Sequence, residues 1–196
     1  MKAENIIFGP ILFRCQVEQD SVNKIKSLCN QDENNSFAEN LVGDFKSEYR
    51  IDREKYQAIL EPQFNFFREN YNNYFKANIG NIKVVSSWVN YMKAGDFNPV
   101  HIHEDCDFST VMFLEVPGDL VKEANEDLKG TGSTTPPGSI NFFYGEKLPH
   151  SSNGRVFLPF VGHLFIFPSW LEHAVYPFKS SGNRVSVASN LIIEKI

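Results

Sequence analysis

The spacing of hydrophobic residues changes near residue 80. Before it, apolar positions recur at helical spacing, as in the stretch 20–30, where Val22, Ile25 and Leu28 share one face. Aromatic and aliphatic residues follow the same spacing over 52–75, from Tyr56 to Phe75. We therefore predict helices over 20–30 and 52–75, with Pro62 starting, kinking or interrupting the second one. The polar stretch 31–40 predicts a loop.

After residue 80 the hydrophobic period is two, which predicts strands. The predicted strands are 83–92, 107–116, 139–144, 162–167 and 183–193. Several short strands with long connections favour a mainly β member of the α+β class, with a jelly-roll or other double-stranded β-helix barrel and supporting N-terminal helices. The long segment 118–138 predicts a loop and a candidate substrate lid.

Length and composition narrow the possible classes of protein. The chain has 196 residues, so we predict a single domain over 1–196, with helical support in 1–80 and the jelly-roll core in 81–196. A net charge of −5 disfavours nucleic acid as a partner. No apolar stretch approaches the ~20 residues of a membrane helix, so no membrane partner is expected. Three scattered cysteines favour a reduced, cytoplasmic location.

Three histidines and one aspartate form a candidate metal site. His101 and His103 lie two residues apart, as do His103 and Asp105, and side chains at this spacing point to the same side of an extended chain. Two imidazoles and a carboxylate are the ligands of a non-haem Fe(II) facial triad. His173 follows an apolar strand much later in the chain and is the candidate third ligand.

The last predicted strand has an unusual polar face. Arg184 and Ser186 share that face with Ala188 and Asn190, while valines and a leucine occupy the opposite face. Inside a barrel, Arg184 could bind a carboxylate in bidentate fashion, with the Ser186 hydroxyl as a further donor. The alternative is an amphipathic edge strand with Arg184 in solvent.

Taken in order, these residues resemble the Fe(II)/2-oxoglutarate-dependent oxygenases. The resemblance is closest to small oxygenases of bacteria and marine phages and covers roughly residues 83–194. The motifs that carry it are Trp88-Val89-Asn90, His101-x-His103, the run from Gly162 through Phe167-Pro168-Ser169 to His173, and Arg184-x-Ser186 with Asn190.

The resemblance implies a distorted jelly-roll barrel with iron at its mouth. The implied cofactors are Fe(II), 2-oxoglutarate as co-substrate, and O2. Arg184 would bind the distal carboxylate of 2-oxoglutarate, with Ser186 and Asn90 also holding the co-substrate and Trp88 walling the pocket. The implied reaction hydroxylates an unactivated C–H bond of an amino acid, peptide or small metabolite and releases succinate and CO2. A phage-encoded protein would work in the host cytoplasm.

Two sets of metal ligands remain open. In the first, His103, Asp105 and His173 form the ordinary triad, and His101 lies outside the ligand set or on the substrate side. In the second, His101, His103 and His173 bind the metal, and Asp105 or Asp107 supports them. The negative charge that one carboxylate brings to the site favours the first set.

Two other functions compete with this interpretation. A cupin-like metalloenzyme would use the histidines without 2-oxoglutarate, and Arg184 would then be dispensable. A non-enzymatic jelly-roll module for binding or structural purposes would bind no metal through these histidines. Iron binding would distinguish the oxygenase from the non-enzymatic module. Binding of 2-oxoglutarate would distinguish it from the cupin-like metalloenzyme.

Overall fold

The computed structural model describes residues 9–32, 36, 47–130, 135–150 and 152–194, with the backbone alone for 127–130. Within these residues the chain forms ten strands and three helices. In chain order they are β1 (Phe13–Gln16), α1 (Gln19–Leu28), β2 (Glu48–Arg50), α2 (Arg53–Phe75), β3 (Ile82–Met92), β4 (Asn98–His101), β5 (Phe108–Glu115), α3 (Leu120–Gly130), β6 (Ile140–Phe143), β7 (Gly154–Phe157), β8 (His163–Pro168), β9 (Glu172–Val175) and β10 (Arg184–Ile193).

The strands form two antiparallel sheets. The larger has the order β1-β8-β5-β10-β3-β2, and the smaller has the order β4-β9-β6-β7. A mainly β fold is thus confirmed, and all five predicted strands are present with ends within one residue of those predicted. The shorter strands β1, β2, β4, β7 and β9 were not predicted. All five hold only three or four residues, too few to show a period of two, and four of them are edge strands.

The two N-terminal helices form as predicted and pack on the larger sheet. Asp52 caps α2, where its carboxylate accepts hydrogen bonds from the backbone N–H groups of Glu54 and Lys55, both at 3.1 Å. The helix neither starts nor breaks at Pro62. Buried aromatic and aliphatic residues on both sides of the proline, among them Leu60 and Phe64, anchor α2 to the sheet and outweigh the lost backbone hydrogen bond.

One hydrophobic cluster joins the helices to the sheet. It includes Ile25 of α1, Phe67 of α2, and Val187 and Leu191 of β10, all with no measurable exposure. The valines and leucine of β10 therefore lie on its helix-covered face, and Arg184, Ser186 and Ala188 lie on the opposite face, as the alternation predicts. Among the described residues, no helix has both the length and the apolar character needed to cross a bilayer.

The prediction of a loop over 118–138 is wrong for its first half. Residues Leu120–Gly130 form α3, which buries Leu120 and Ala124 completely. The Glu123 carboxylate accepts backbone hydrogen bonds from Lys179 at 2.8 Å and Ser180 at 2.7 Å, so α3 is fastened to the segment before β10. Residues 120–130 of this segment therefore form a helix packed on the rest of the fold, unlike a lid. Residues 131–134, and most of the predicted loop 31–40, lie outside the described residues.

Candidate active site

Three histidines come together at one end of the smaller sheet. His101 ends β4 and lies directly opposite His173 of the neighbouring strand β9, so both side chains project from the same face. His103 follows two residues after β4. One nitrogen of each imidazole lies within 4.8 Å of the others, a grouping that could hold a metal ion. The ring centroids of His101 and His173 are 4.2 Å apart, and those of His103 and His173 are 5.2 Å apart.

Backbone carbonyls orient two of these imidazoles. The Nδ1 of His101 lies 2.8 Å from the Pro99 carbonyl oxygen, and the Nδ1 of His173 lies 3.0 Å from the Leu171 carbonyl oxygen. Because a carbonyl only accepts, each Nδ1 must carry the proton and donate it. The Nε2 atom of each ring is then left with a free lone pair. This arrangement is typical of histidines that bind a metal through Nε2.

Burial keeps the three imidazoles neutral. Burial, with a smaller contribution from the neighbouring histidines, lowers the pKa of His173 to about 3 and that of His103 to about 4. Burial also lowers the pKa of His101, against the Pro99 carbonyl, which raises it. At neutral pH the three rings therefore present lone pairs, as metal binding requires.

These shifts predict the pH dependence of the stability of the metal-free protein. The unfolded histidines bind protons below about pH 6.5, whereas folded His103 binds one only near pH 4, so the free energy of unfolding falls as the pH drops through this window. Glu48, whose folded pKa is raised to about 8, opposes this trend but supplies one group against three. His103→Asn should reduce the slope by up to about 1.4 kcal/mol per pH unit in urea unfolding experiments. If His103→Asn and the wild type showed the same dependence of unfolding free energy on pH, the lowered pKa of folded His103 would be contradicted.

Asp105 lies outside the histidine group. Its side chain is exposed, and its backbone has a φ of +57° in the left-handed region. The prediction that His103 and Asp105 point to the same side requires an extended chain, but β4 ends at His101 and the chain turns at Asp105. Asp107 is engaged elsewhere, since its carboxylate accepts a hydrogen bond from the Ile193 backbone N–H at 2.7 Å. Of the two ligand sets, the structure gathers the one with three histidines.

A cavity between the sheets connects the histidines to the polar face of β10. It contains about 530 Å³ of empty space, part of it open to solvent, and its lining includes all three histidines, Arg184 and Ser186. Asn90 and Trp88 of β3 line it as well. The Trp88 ring lies 5.8 Å from that of His103, between centroids. The structure therefore brings together every predicted site residue except Asp105.

Arg184 is a buried cation without an anionic partner among the described residues. Its side chain is 1% exposed, donates one hydrogen bond to the Gly138 carbonyl at 2.9 Å and contacts the Met92 sulfur at 2.8 Å. Its Nε has no partner. Gly138 has a φ of +69°, and a Cβ there would lie 2.7 Å from a methyl carbon of Leu120, so glycine presents this carbonyl without strain or clash.

Burial lowers the pKa of Arg184 to about 9, which leaves the guanidinium charged at neutral pH. A buried, uncompensated cation is costly unless an anion binds beside it. The alternative of an edge strand with Arg184 in solvent is therefore wrong, because β10 is a central strand and Arg184 is covered. The arrangement suits the carboxylate of a ligand that enters the cavity.

Two residues have roles at this site that the sequence analysis did not assign: Ser169, which it named only as part of a motif, and Glu48, which it did not single out. The Ser169 hydroxyl donates to the Cys106 carbonyl at 2.6 Å, and the Ser169 carbonyl accepts from the His103 N–H at 2.9 Å. Ser169 thus ties the loop that carries His103 to the chain just before His173. Glu48 of β2 is 2% exposed and lines the cavity, and burial raises its pKa to about 8. Its three-residue strand offered no pattern that could have identified it.

The sequence matches the model of a family described as "Putative 2OG-Fe(II) oxygenase" over residues 86–190, which is more than half of the chain. The match begins in β3 and includes the three histidines, Arg184 and Ser186. The chain belongs to this family. It is therefore a 2-oxoglutarate-dependent oxygenase, an enzyme class that uses Fe(II), 2-oxoglutarate and O2. No curated protein sequence matches it.

Solved structures of other oxygenases resemble this one at low sequence identity. A Pseudomonas putida prolyl-4-hydroxylase has a TM-score of 0.60 and 15% identity, covering 94% of this chain and 93% of its own. The viral collagen prolyl hydroxylase of Paramecium bursaria Chlorella virus-1, solved with 2-oxoglutarate, has a TM-score of 0.53 and 13% identity, covering 92% and 94%. A Trichoplax adhaerens prolyl hydroxylase, solved with a hypoxia-inducible-factor peptide fragment, has a TM-score of 0.56 and 12% identity, covering 93% and 82%. The TM-scores indicate a shared fold, and at identities this low the likeness extends to the fold alone.

The side chains of this oxygenase fit the family's cofactors. Imidazole nitrogens are suitable ligands for Fe(II), and the three neutral rings offer them from one cluster. The buried guanidinium, with its Nε unpaired, offers donors of the charge and planarity that a carboxylate requires. The gathered group departs from the usual two-histidine, one-carboxylate triad in that all three of its side chains are imidazoles.

Proposed function

We propose that this enzyme binds Fe(II) through His101, His103 and His173 and hydroxylates a C–H bond of an amino acid, a peptide or a small metabolite. The observation that carries the proposal is the combination, in one cavity, of three neutral imidazoles and one buried, unpaired guanidinium. A metal ion and an organic dianion would satisfy both features. The prolyl hydroxylases among the similar structures favour an amino-acid or peptide substrate.

The fold supports the same proposal. We propose that the two antiparallel sheets form the distorted double-stranded β-helix of this superfamily. The six-stranded sheet contributes the inward-facing Arg184, Ser186 and Asn90, and the four-stranded sheet contributes His101 and His173. The site would then lie between the sheets, at the mouth of the barrel.

The side chains would divide the work of binding between them. When bound, iron and 2-oxoglutarate supply the oxidation chemistry, in which O2 is consumed, 2-oxoglutarate becomes succinate and CO2, and the substrate C–H becomes C–OH. Arg184 would hold the distal carboxylate through paired N–H donors, and Ser186 would add its hydroxyl. The amide of Asn90, whose Oδ1 has no partner, would bind the co-substrate beside them.

Apolar side chains would limit the access of water to the reacting groups. Trp88 is 3% exposed and covers His103, while Phe167 packs 4.8 Å from the His173 ring, between centroids. Such walls keep the imidazoles fixed and shield reactive species from side reactions. They also explain why burial dominates the pKa shifts of His103 and His173.

An anaerobic titration followed by visible absorbance tests the function. We expect a weak charge-transfer band that requires both Fe(II) and 2-oxoglutarate. Iron binding without this band would favour a metalloenzyme that does not use 2-oxoglutarate. Failure to bind iron would indicate a module that shares the fold and lacks the activity.

A further inference from the structure

Glu48 lies at the margin of the cavity, on the edge strand of the larger sheet. It pairs across the strands with Asn90, which pairs in turn with Ser186, so the three residues form one row across β2, β3 and β10. Arg184 lies on β10, two strands from Glu48, and two residues before Ser186. This places the backbones of Glu48 and Arg184 roughly 12 Å apart. Glu48 therefore flanks the region between the histidines and Arg184.

No hydrogen bond or ion pair of the described residues reaches the Glu48 carboxyl, which lines the cavity on a residue only 2% exposed. It is also the only acidic side chain among the described residues that line the cavity. A buried carboxyl without a partner is destabilising. Arg184 does not relieve this cost, because its donors reach the Gly138 carbonyl and the Met92 sulfur.

A second unpartnered acceptor lies in the same cavity. Asn98, on the edge strand β4 of the smaller sheet, has a buried Oδ1 atom with no hydrogen-bond partner. Glu48 and Asn98 thus offer acceptors from the edge strands of the two sheets. These two acceptor side chains would be satisfied by a ligand that carries several N–H donors.

We infer that Glu48 recognises a cationic nitrogen group, an ammonium or guanidinium, on the substrate that is hydroxylated. This inference rests on the proposed function, because Arg184 is then occupied by the anionic co-substrate. The two residues would sort the ligands: the dianion binds toward Arg184, and the cation, which favours the ionised form of the Glu48 carboxyl, binds toward Glu48 and Asn98. The substrate class narrows to amines and guanidines, such as basic amino acids or basic peptide side chains.

Binding experiments on matched probes test the inference. Wild-type protein and the variants Glu48→Gln and Glu48→Asp are loaded anaerobically with Mn(II) and 2-oxoglutarate, whose affinities are measured first by calorimetry. L-Arginine is then compared with L-citrulline, and L-lysine with L-norleucine. We expect wild type to bind each cation at least about tenfold more tightly than its neutral counterpart. This preference should vanish in Glu48→Gln and persist in weaker form in Glu48→Asp.

The other outcomes are distinct. If the wild type shows no preference for the cations, or Glu48→Gln keeps it, Glu48 does not select a cation and the inference is wrong. If Glu48→Gln instead loses affinity for Mn(II) or 2-oxoglutarate, the carboxylate balances the charge of the metal site, which also overturns the inference. If wild type itself fails to bind Mn(II) and 2-oxoglutarate, the proposed function falls, and the inference falls with it.

Discussion

His101→Ala is expected to weaken Fe(II) binding by more than about 100-fold, while Asp105→Asn binds iron as the wild type does. Loss of a single hydrogen bond behind a metal ligand already costs 10- to 100-fold in affinity, so loss of a ligand should cost more. His101 belongs to the histidine group and is oriented by the Pro99 carbonyl. Asp105 is exposed and lies outside the group.

The choice of substitutions and control makes this comparison sharp. Asparagine keeps the shape of Asp105 and tolerates its left-handed backbone, which alanine would strain. His163→Ala removes a histidine of β8 that lies outside the group and controls for general loss of histidine. Iron is measured by anaerobic titration and by metal content after desalting. Loss of iron in Asp105→Asn alone would select the set His103, Asp105 and His173 instead, and retention in both would contradict both sets.

Arg184→Met is expected to weaken 2-oxoglutarate binding by about 100-fold or more, with iron binding retained. Each hydrogen bond to a charged group contributes about 1.5–3 kcal/mol, and the guanidinium can donate two to one carboxylate. The ligand-free protein should nevertheless lose no more than about 2 kcal/mol of unfolding free energy. The Gly138 carbonyl loses its donor, but the cost of burying an unpaired cation disappears as well.

Calorimetry with 2-oxoglutarate on the Mn(II)-loaded protein measures this effect, and urea unfolding measures the stability. Arg155→Met, which removes an exposed arginine of β7, serves as the matched control. If Arg184→Met bound 2-oxoglutarate like the wild type, the guanidinium would not hold the co-substrate. A cupin-like use of the histidines alone would then be the better explanation.

Long elements with a strong period were predictable from the sequence. The alternation in β10 separates Val187 and Leu191, which pack under the helices, from Arg184 and Ser186, which face the cavity. The helical spacing of α2 also predicted its buried face, including Phe64 and Phe67. Helix α3 was missed because its position within a long segment ending in glycine and proline favoured a loop. The single-domain assignment stays a prediction.

The candidate site was predictable in composition and less so in geometry. His101, His103, His173 and Arg184 were each identified as candidates. The end of β4 decides which residues near His103 point in the same direction. A four-residue strand that contains Pro99 gives no clear boundary in the sequence. Glu48 belongs to a strand of three residues whose inward direction is set by pairing with β3, a long-range contact with no local signature.

The division of the site between the sheets has a mechanical consequence. His101 and His173 belong to the four-stranded sheet, whereas Arg184 belongs to the six-stranded one, and the described strands of the two sheets share no backbone ladder. A co-substrate held by the metal at one end and by Arg184 at the other would act as a strut between them. Each turnover would convert the bound 2-oxoglutarate into succinate and CO2. The bridge between the sheets would then be lost and would form again when the next co-substrate binds. The freedom of the two sheets to move relative to each other would then change with each turnover.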